Sequence, residues 1–167
     1  MAGGQPLMAT TLTHRLEYDA PLADVAAMLA DPAFREEVCA YQRVLRSSVT
    51  VDVDGGITTV VVEQAQPANG IPGFARKFVG DEIDIVQREE WSSPEAADLH
   101  VTIPGKPGQM VGTITLEESA GRTTETVDVR IKVNIPLVAG KLEELIAGLL
   151  RKALVAEGKV GRDYLSR

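Results

Sequence analysis

The stretch that decides the fold runs Thr124-Glu-Thr-Val-Asp-Val-Arg-Ile-Lys-Val-Asn-Ile-Pro136 and continues from Leu137 to Leu165. In its first part Val127, Val129, Ile131, Val133 and Ile135 alternate with Asp128, Arg130, Lys132 and Asn134. A period of two is that of a strand with one buried and one wet face. Past Pro136 the period becomes helical: Val138, Leu142, Leu145, Ile146, Leu149, Ala153, Ala156, Val160 and Tyr164 share one arc of a helical wheel. A helix from Leu137 to Leu165 would be roughly 40 Å long at about 1.5 Å per residue, enough to lie across a whole sheet.

Working outward, Thr10 to Tyr18 alternates with Leu12, His14, Leu16 and Tyr18 on one face. Asp19-Ala-Pro21 stops that strand, and Pro21 suits the start of a helix over Leu22–Ala30. Asp31-Pro32 begins a second short helix with Asp31 as N-cap, packing through Phe34, Val38 and Tyr41. Strands follow over Gln42–Asp54 and Ile57–Gln66, joined by Asp54-Gly55-Gly56, a hairpin signal. After a Pro67–Pro72 loop and a short segment over Gly73–Gly80, strands are expected over Asp81–Trp91, Ala97–Ile103, Val111–Glu118 and Gly121–Ile135. This order predicts an α+β fold: a curved antiparallel sheet of about seven strands gripping one long C-terminal helix, with two short helices after the first strand.

At 167 residues the chain is long enough for one good core. A net charge of −7 argues against nucleic acid as partner, since backbone recognition needs clustered Lys and Arg. It also disfavours an anionic membrane surface. No apolar run is long enough to insert in a membrane. The single cysteine, Cys39, excludes an intramolecular disulfide, and a reducing cytoplasm is the expected location. Residues 1–9 read as a disordered leader, with Met8 an alternative start, and 10–167 as a single domain.

The element order resembles that of the START-like (helix-grip, birch-pollen-allergen-like) superfamily from Thr10 to Leu165. The residues behind the resemblance are Leu16-Glu-Tyr-Asp-Ala-Pro-Leu-Ala-Asp-Val25 and Asp31-Pro-Ala-Phe34. Ile71-Pro-Gly-Phe-Ala-Arg-Lys-Phe-Val-Gly80 and Ile135-Pro-Leu-Val-Ala-Gly-Lys-Leu-Glu143 resemble an uncharacterised bacterial branch of it. The resemblance implies a cavity between sheet and long helix for an apolar or amphipathic small molecule. Members include lipid, sterol, quinone and hormone binders as well as polyketide cyclases and dehydratases, and fold alone does not choose among them.

The residues themselves offer few reactive candidates. His14 lies between Leu12 and Leu16 on the apolar face, where it serves either as a pocket imidazole or as a core histidine with a satisfied partner. His100 alternates with Leu99 and Val101 and is expected outside. The parity that puts Ile83, Ile85 and Trp91 inside also puts Gln87 and Glu89 inside, unless a bulge intervenes. Neither histidine has metal-ligand spacing to the other or to Cys39, so no metal site is expected. Cys39 reads as a packing residue. Pro104-Gly-Lys-Pro-Gly108 lacks the spacing of a phosphate loop and reads as a hairpin turn.

The expected function is therefore binding of a small hydrophobic or amphipathic ligand without catalysis and without a cofactor. Ligand contacts are assigned to His14, Tyr41, Phe74, Phe78, Glu89, Trp91, Leu142, Leu145 and Leu149. The alternatives are a cyclase- or dehydratase-type enzyme using His14 with Glu89 or Tyr41, and a protein-interaction module. Gly140, Ala147, Leu154 and Gly161 recur every seven residues opposite the apolar arc of the long helix, with Leu150 nearby. That stripe reads as a solvent face or a homodimer contact, so the chain is a monomer or a homodimer.

Overall fold

The computed structural model describes residues 9–167, so the expected leader and the alternative start at Met8 lie, but for Ala9, outside the described residues. Strand β1 (Thr10–Tyr18) leads into α1 (Leu22–Leu29) and α2 (Pro32–Tyr41). Then come β2 (Arg46–Asp54), β3 (Ile57–Pro67), the short α3 (Gly73–Val79), β4 (Glu82–Ser93), β5 (Ala96–Thr102), β6 (Gln109–Ser119) and β7 (Arg122–Lys132). The chain closes with α4 (Ala139–Leu165), 27 residues long.

All seven strands form one antiparallel sheet in the order β1-β7-β6-β5-β4-β3-β2. Each of β2 to β7 pairs with its neighbour in sequence, and β1 returns to the far edge beside β7, with Leu12 opposite Val129 and Leu16 opposite Glu125. The helix-grip fold is the one expected. At the β2–β3 hairpin both Gly55 and Gly56 have φ above zero, 58° and 81°, which a two-residue turn between twisted strands requires. On β6 a Cβ at Gly112 would stand 1.8 Å from the carbonyl oxygen of Asp128, so only glycine lets β6 and β7 approach there.

The alternation expected for β1 and β7 is present. Leu12, Leu16, Val127, Val129, Ile131 and Val133 are buried, and Thr13, Arg15, Asp128 and Arg130 are exposed. Asp31 caps α2 as expected, accepting from the Ala33 N–H at 2.9 Å and from the Tyr164 hydroxyl of α4. Phe34 meets the Tyr164 ring edge-on at 5.5 Å. Among the described residues no helix is long and apolar enough to cross a membrane.

Three expectations are corrected. The last strand stops at Lys132, and the long helix starts at Ala139 instead of Leu137. Leu137 has φ 73° and is fully exposed, a left-handed corner that turns the chain off the sheet edge. Tyr41, expected to pack from α2, is 50% exposed, because the buried face is Phe34, Arg35, Val38 and Cys39.

The third correction concerns the face of α4. Leu149 is 38% exposed, whereas Ala147, Glu143, Glu157, Gly158 and Gly161 are buried. The buried face keeps the expected arc at Leu142, Ala156 and Val160 and extends beyond it around the helix through Glu143, Ala147, Glu157, Gly158 and Gly161. The small-residue stripe therefore faces the protein, apart from the exposed Gly140. A Cβ on Gly161 would stand 2.7 Å from Tyr18 Cε1, and one on Gly158 would stand 3.3 Å from Leu16 Cδ2. Small residues here let α4 sit down on β1. Glu143, also on this face, accepts from Thr10 Oγ1 and from the Val133 N–H, both at 2.9 Å, and so ties the start of α4 to the edge of the sheet.

Candidate functional site

Between the concave face of the sheet and α4 lies a cavity of about 60 Å3. Period two on the strands puts Val62, Leu99, Val101, Ile114, Val127 and Val129 on its wall. Leu150, Ala153 and Leu154 of α4 and Val38 and Cys39 of α2 close it from the other side. Gln42, Gln64, Leu150 and Leu154, all half-buried, are where the lining reaches solvent.

One end of this aliphatic cavity is ionic. Arg35 projects from α2, Glu89 from β4, Glu125 from β7 and Glu157 from α4, and all four are buried. Arg35 holds Glu89 in a two-pronged pair, with Nη2 donating to Oε1 at 2.7 Å and Nη1 to Oε2 at 3.0 Å, while its Nε donates to the Leu29 carbonyl at 2.8 Å. Gln87 Nε2 and Trp91 Nε1 also donate to Glu89, at 2.6 and 3.0 Å. Such a bidentate, fully hydrogen-bonded pair is the form in which a buried guanidinium and carboxylate are tolerated.

Glu125 and Glu157 are less well provided. The Tyr18 hydroxyl donates to Glu125 Oε1 at 3.4 Å, and Arg35 Nη1 stands 3.6 Å from Glu157 Oε1. Glu157 Oε2 is buried with no hydrogen-bond partner. Burial, and after it the nearby Glu157 and Glu89, push the Glu125 carboxyl well above the usual carboxylate range. Burial raises Glu157 too, against the pull of Arg35. The consequence is a carboxyl pair sharing a proton at pH values where surface glutamates have lost theirs. Burial would lower the Arg35 pKa, but the facing Glu89 and Glu157 raise it, so the guanidinium stays charged. Although three glutamates converge, no group of His, Cys, Asp or Glu among the described residues is arranged to hold a metal ion.

Of the nine residues assigned to ligand contact, only Glu89 lines this cavity. Trp91 is buried beside it and reaches it through its indole N–H. His14 is half-buried under α4, its pKa lowered by burial and then by Arg151. Phe78, Leu142 and Leu145 belong to a second apolar cluster with Ala75 and Val133, under α3 and the start of α4. Phe74 is 37% exposed on α3, with the Lys141 ammonium 5.9 Å from its ring centroid. Tyr41 and Leu149 face solvent. The set His14, Glu89 and Tyr41 is thus not assembled around the cavity.

Arg35, Glu125 and Glu157 were not among the expected residues, yet the sequence marks two of them. Glu125 shares parity with Val127 and Val129, and Arg35 stands three residues before Val38 and four before Cys39. Glu157 adjoins the arc residue Ala156 and would have required allowing a charge onto the buried face.

A family described as "Protein of unknown function (DUF2505)" matches residues 13–165. An uncharacterised protein of Mycobacterium tuberculosis is 27% identical over 110 residues, spanning 62% of this chain and 63% of that protein. Among solved structures, the Zhui aromatase/cyclase of Streptomyces sp. R1128 superposes with a TM-score of 0.67 at 14% identity, covering 96% of this chain and 95% of that one. A START superfamily protein of Mycobacterium smegmatis superposes with a TM-score of 0.61 at 11% identity, covering 90% and 96%. At these identities the likeness is one of fold, and that fold is START-like.

Proposed function

The chain belongs to the DUF2505 family, and we propose that it binds a small amphipathic molecule in the cavity between sheet and α4, apolar part against the aliphatic wall and polar part at the Glu125–Glu157 pair, without chemical turnover. The observation that carries this reading is the cavity itself: aliphatic on most sides, with convergent polar groups at one end and one buried carboxylate oxygen lacking a partner. Apolar walls with a few placed polar groups are what a small-molecule site needs. Its volume, about 60 Å3, is well below the ~300–1,000 Å3 of pockets for drug-sized ligands. The occupant is accordingly small, or α4 parts from α2 at Leu154 to admit a larger body.

A second reading follows from the protonated carboxyl. A glutamic acid kept neutral by burial can donate its proton to a carbonyl or leaving hydroxyl, as a general acid does. A cyclase-type reaction, of the kind named for the Zhui neighbour, would then use Glu125 and Glu157 in place of His14 and Tyr41.

Titration against a panel of lipids, polyketides and smaller amphipaths, read by the fluorescence of Trp91, the single tryptophan, tests both readings. Saturable binding that Ala153→Phe abolishes by filling the cavity, with the ligand recovered unchanged, is the expected outcome. Conversion of the ligand that stops in Glu125→Gln replaces binding by catalysis. No saturation by any member of the panel refutes both.

A further inference from the structure

The polar end of the cavity holds three carboxyls against one guanidinium. Every nitrogen of Arg35 is already engaged, on Glu89 and on the Leu29 carbonyl, and what it offers Glu157 is a longer approach of 3.6 Å. Glu157 Oε2 is left as a buried acceptor without a donor. A buried acceptor calls for a donor, and a surplus of carboxyl groups calls for positive charge.

We propose that this end of the cavity is a recognition site for a positively charged hydrogen-bond donor, the ammonium of a small aliphatic amine, seated on Glu157 Oε2 and the Glu125 carboxyl. The inference rests on the reading that the cavity takes a ligand, and it adds the charge of that ligand. A carboxylate would bring a fourth acid to a cluster whose one guanidinium is already paired with Glu89. A hydroxyl would satisfy Oε2 but leave the excess acid uncompensated. An ammonium does both, with three donors and a unit charge. The cavity volume of about 60 Å3 restricts the alkyl part to a short chain.

Without a ligand a proton relieves the excess acid. The groups facing the pair are Tyr18 on β1, Arg35 and Cys39 on α2 and Glu89 on β4. Tyr18 and Cys39 are both pushed up, chiefly by burial, and stay neutral. The exchangeable proton is therefore on Glu125 and Glu157, and an arriving ammonium expels it. Amine affinity should rise with pH until the pair ionises unaided, by up to about tenfold per unit for one proton exchanged.

The test uses the full chain and three probes of one size: n-butylamine, n-butanol and sodium butyrate. Binding is followed by Trp91 fluorescence, and proton release by calorimetry in two buffers of different ionisation enthalpy. The expected result is saturation by butylamine at least about tenfold tighter than by butanol, none by butyrate, and release of up to one proton with the amine alone. Glu157→Gln should lose the preference for the amine over the alcohol. Glu125→Gln, should the first variant not fold, should abolish proton release. Equal binding of amine and alcohol without proton release overturns the charge assignment and leaves the cavity reading intact. Saturation by none of the three, while larger amphipaths bind and Ala153→Phe blocks them, overturns the charge assignment alone. Failure of every probe overturns both.

Discussion

Gly161→Ala should destabilise a protein in which the same exchange at Gly148 stabilises. Both glycines lie inside α4, and replacing an interior helical glycine by alanine gains about 0.8–1.0 kcal/mol. Around Gly148 a Cβ meets nothing within 4 Å, so Gly148→Ala should realise that gain. At Gly161 the added carbon would stand 2.7 Å from Tyr18 Cε1, 3.1 Å from Met28 Cε and 3.2 Å from the Tyr18 hydroxyl. Carbon atoms pack at about 3.5–4.0 Å, so the tyrosine ring or the helix must move by about 1 Å. Tyr18 is wholly buried, and its hydroxyl is bonded to Glu125, which leaves the ring little freedom. Overpacking of this kind costs about 1–3 kcal/mol, so Gly161→Ala should range from about neutral to 2 kcal/mol less stable, and the two variants should differ by about 1–3 kcal/mol. With a urea dependence of about 1–3 kcal/mol per M, their denaturation midpoints should separate by on the order of 1 M. Equal stabilisation by both substitutions would mean that α4 does not rest on β1 through its small residues, and the extension of its inward face to them would be refuted.

Arg35→Met should cost about 3–5 kcal/mol in chemical denaturation, because it leaves Glu89 buried without its counter-charge, while the double variant Arg35→Met/Glu89→Leu should recover most of the loss; a single variant as stable as the parent would mean the pair is not sealed from water. Stability should also depend on pH through Glu125 and Glu157. Both carboxyls are raised on folding, so their contribution is present below the ordinary glutamate range and is lost as pH rises through the folded values. Glu37 and Glu82, lowered by their hydrogen bonds to Arg167 and Arg46, act with the opposite sign and lose their contribution as pH falls through the lowered values. Glu125→Gln isolates the buried term: relative to the parent, the variant should gain stability as pH is raised from the ordinary glutamate range toward the raised folded value. A constant difference across that range would place Glu125 in water.

The strands were legible because period two has a single reading. His14, Gln87 and Glu89 lie on the face that their neighbours' parity assigned them, and Asp31 caps the helix that Pro32 begins. The long helix was legible in its apolar arc but not in the further face it buries. Its wheel was drawn through apolar side chains, whereas the contact with β1 is made by Gly158 and Gly161, whose lack of a side chain is what the sheet needs. The same habit hid the polar end of the cavity. A glutamate on an inward position looks like an exception when a strand is read alone, and Glu125 and Glu157 make sense only beside each other and Arg35. Those three residues come from β7, α4 and α2, and no spacing along the chain records their meeting. Of the aromatic residues, Phe74 is exposed on α3 and Phe78 packs in the cluster beneath it, and neither lines the cavity.

Pairing the first strand with the last has a consequence for how the chain comes to be folded. Tyr18 of β1 lies opposite Thr123 of β7, and most of the sheet is threaded between them. During synthesis at about 5–20 residues per second, β1 waits about 5–20 s for its partner strand to appear, and longer for the glycines of α4 that cover Leu16 and Tyr18. Throughout that interval an alternating strand with an apolar face has open hydrogen-bonding edges, the kind of segment that pairs with whatever strand it meets. The β2–β3 hairpin, closed by adjacent residues, carries no such delay. Productive folding therefore depends on keeping β1 from mispairing until β7 and α4 have been made.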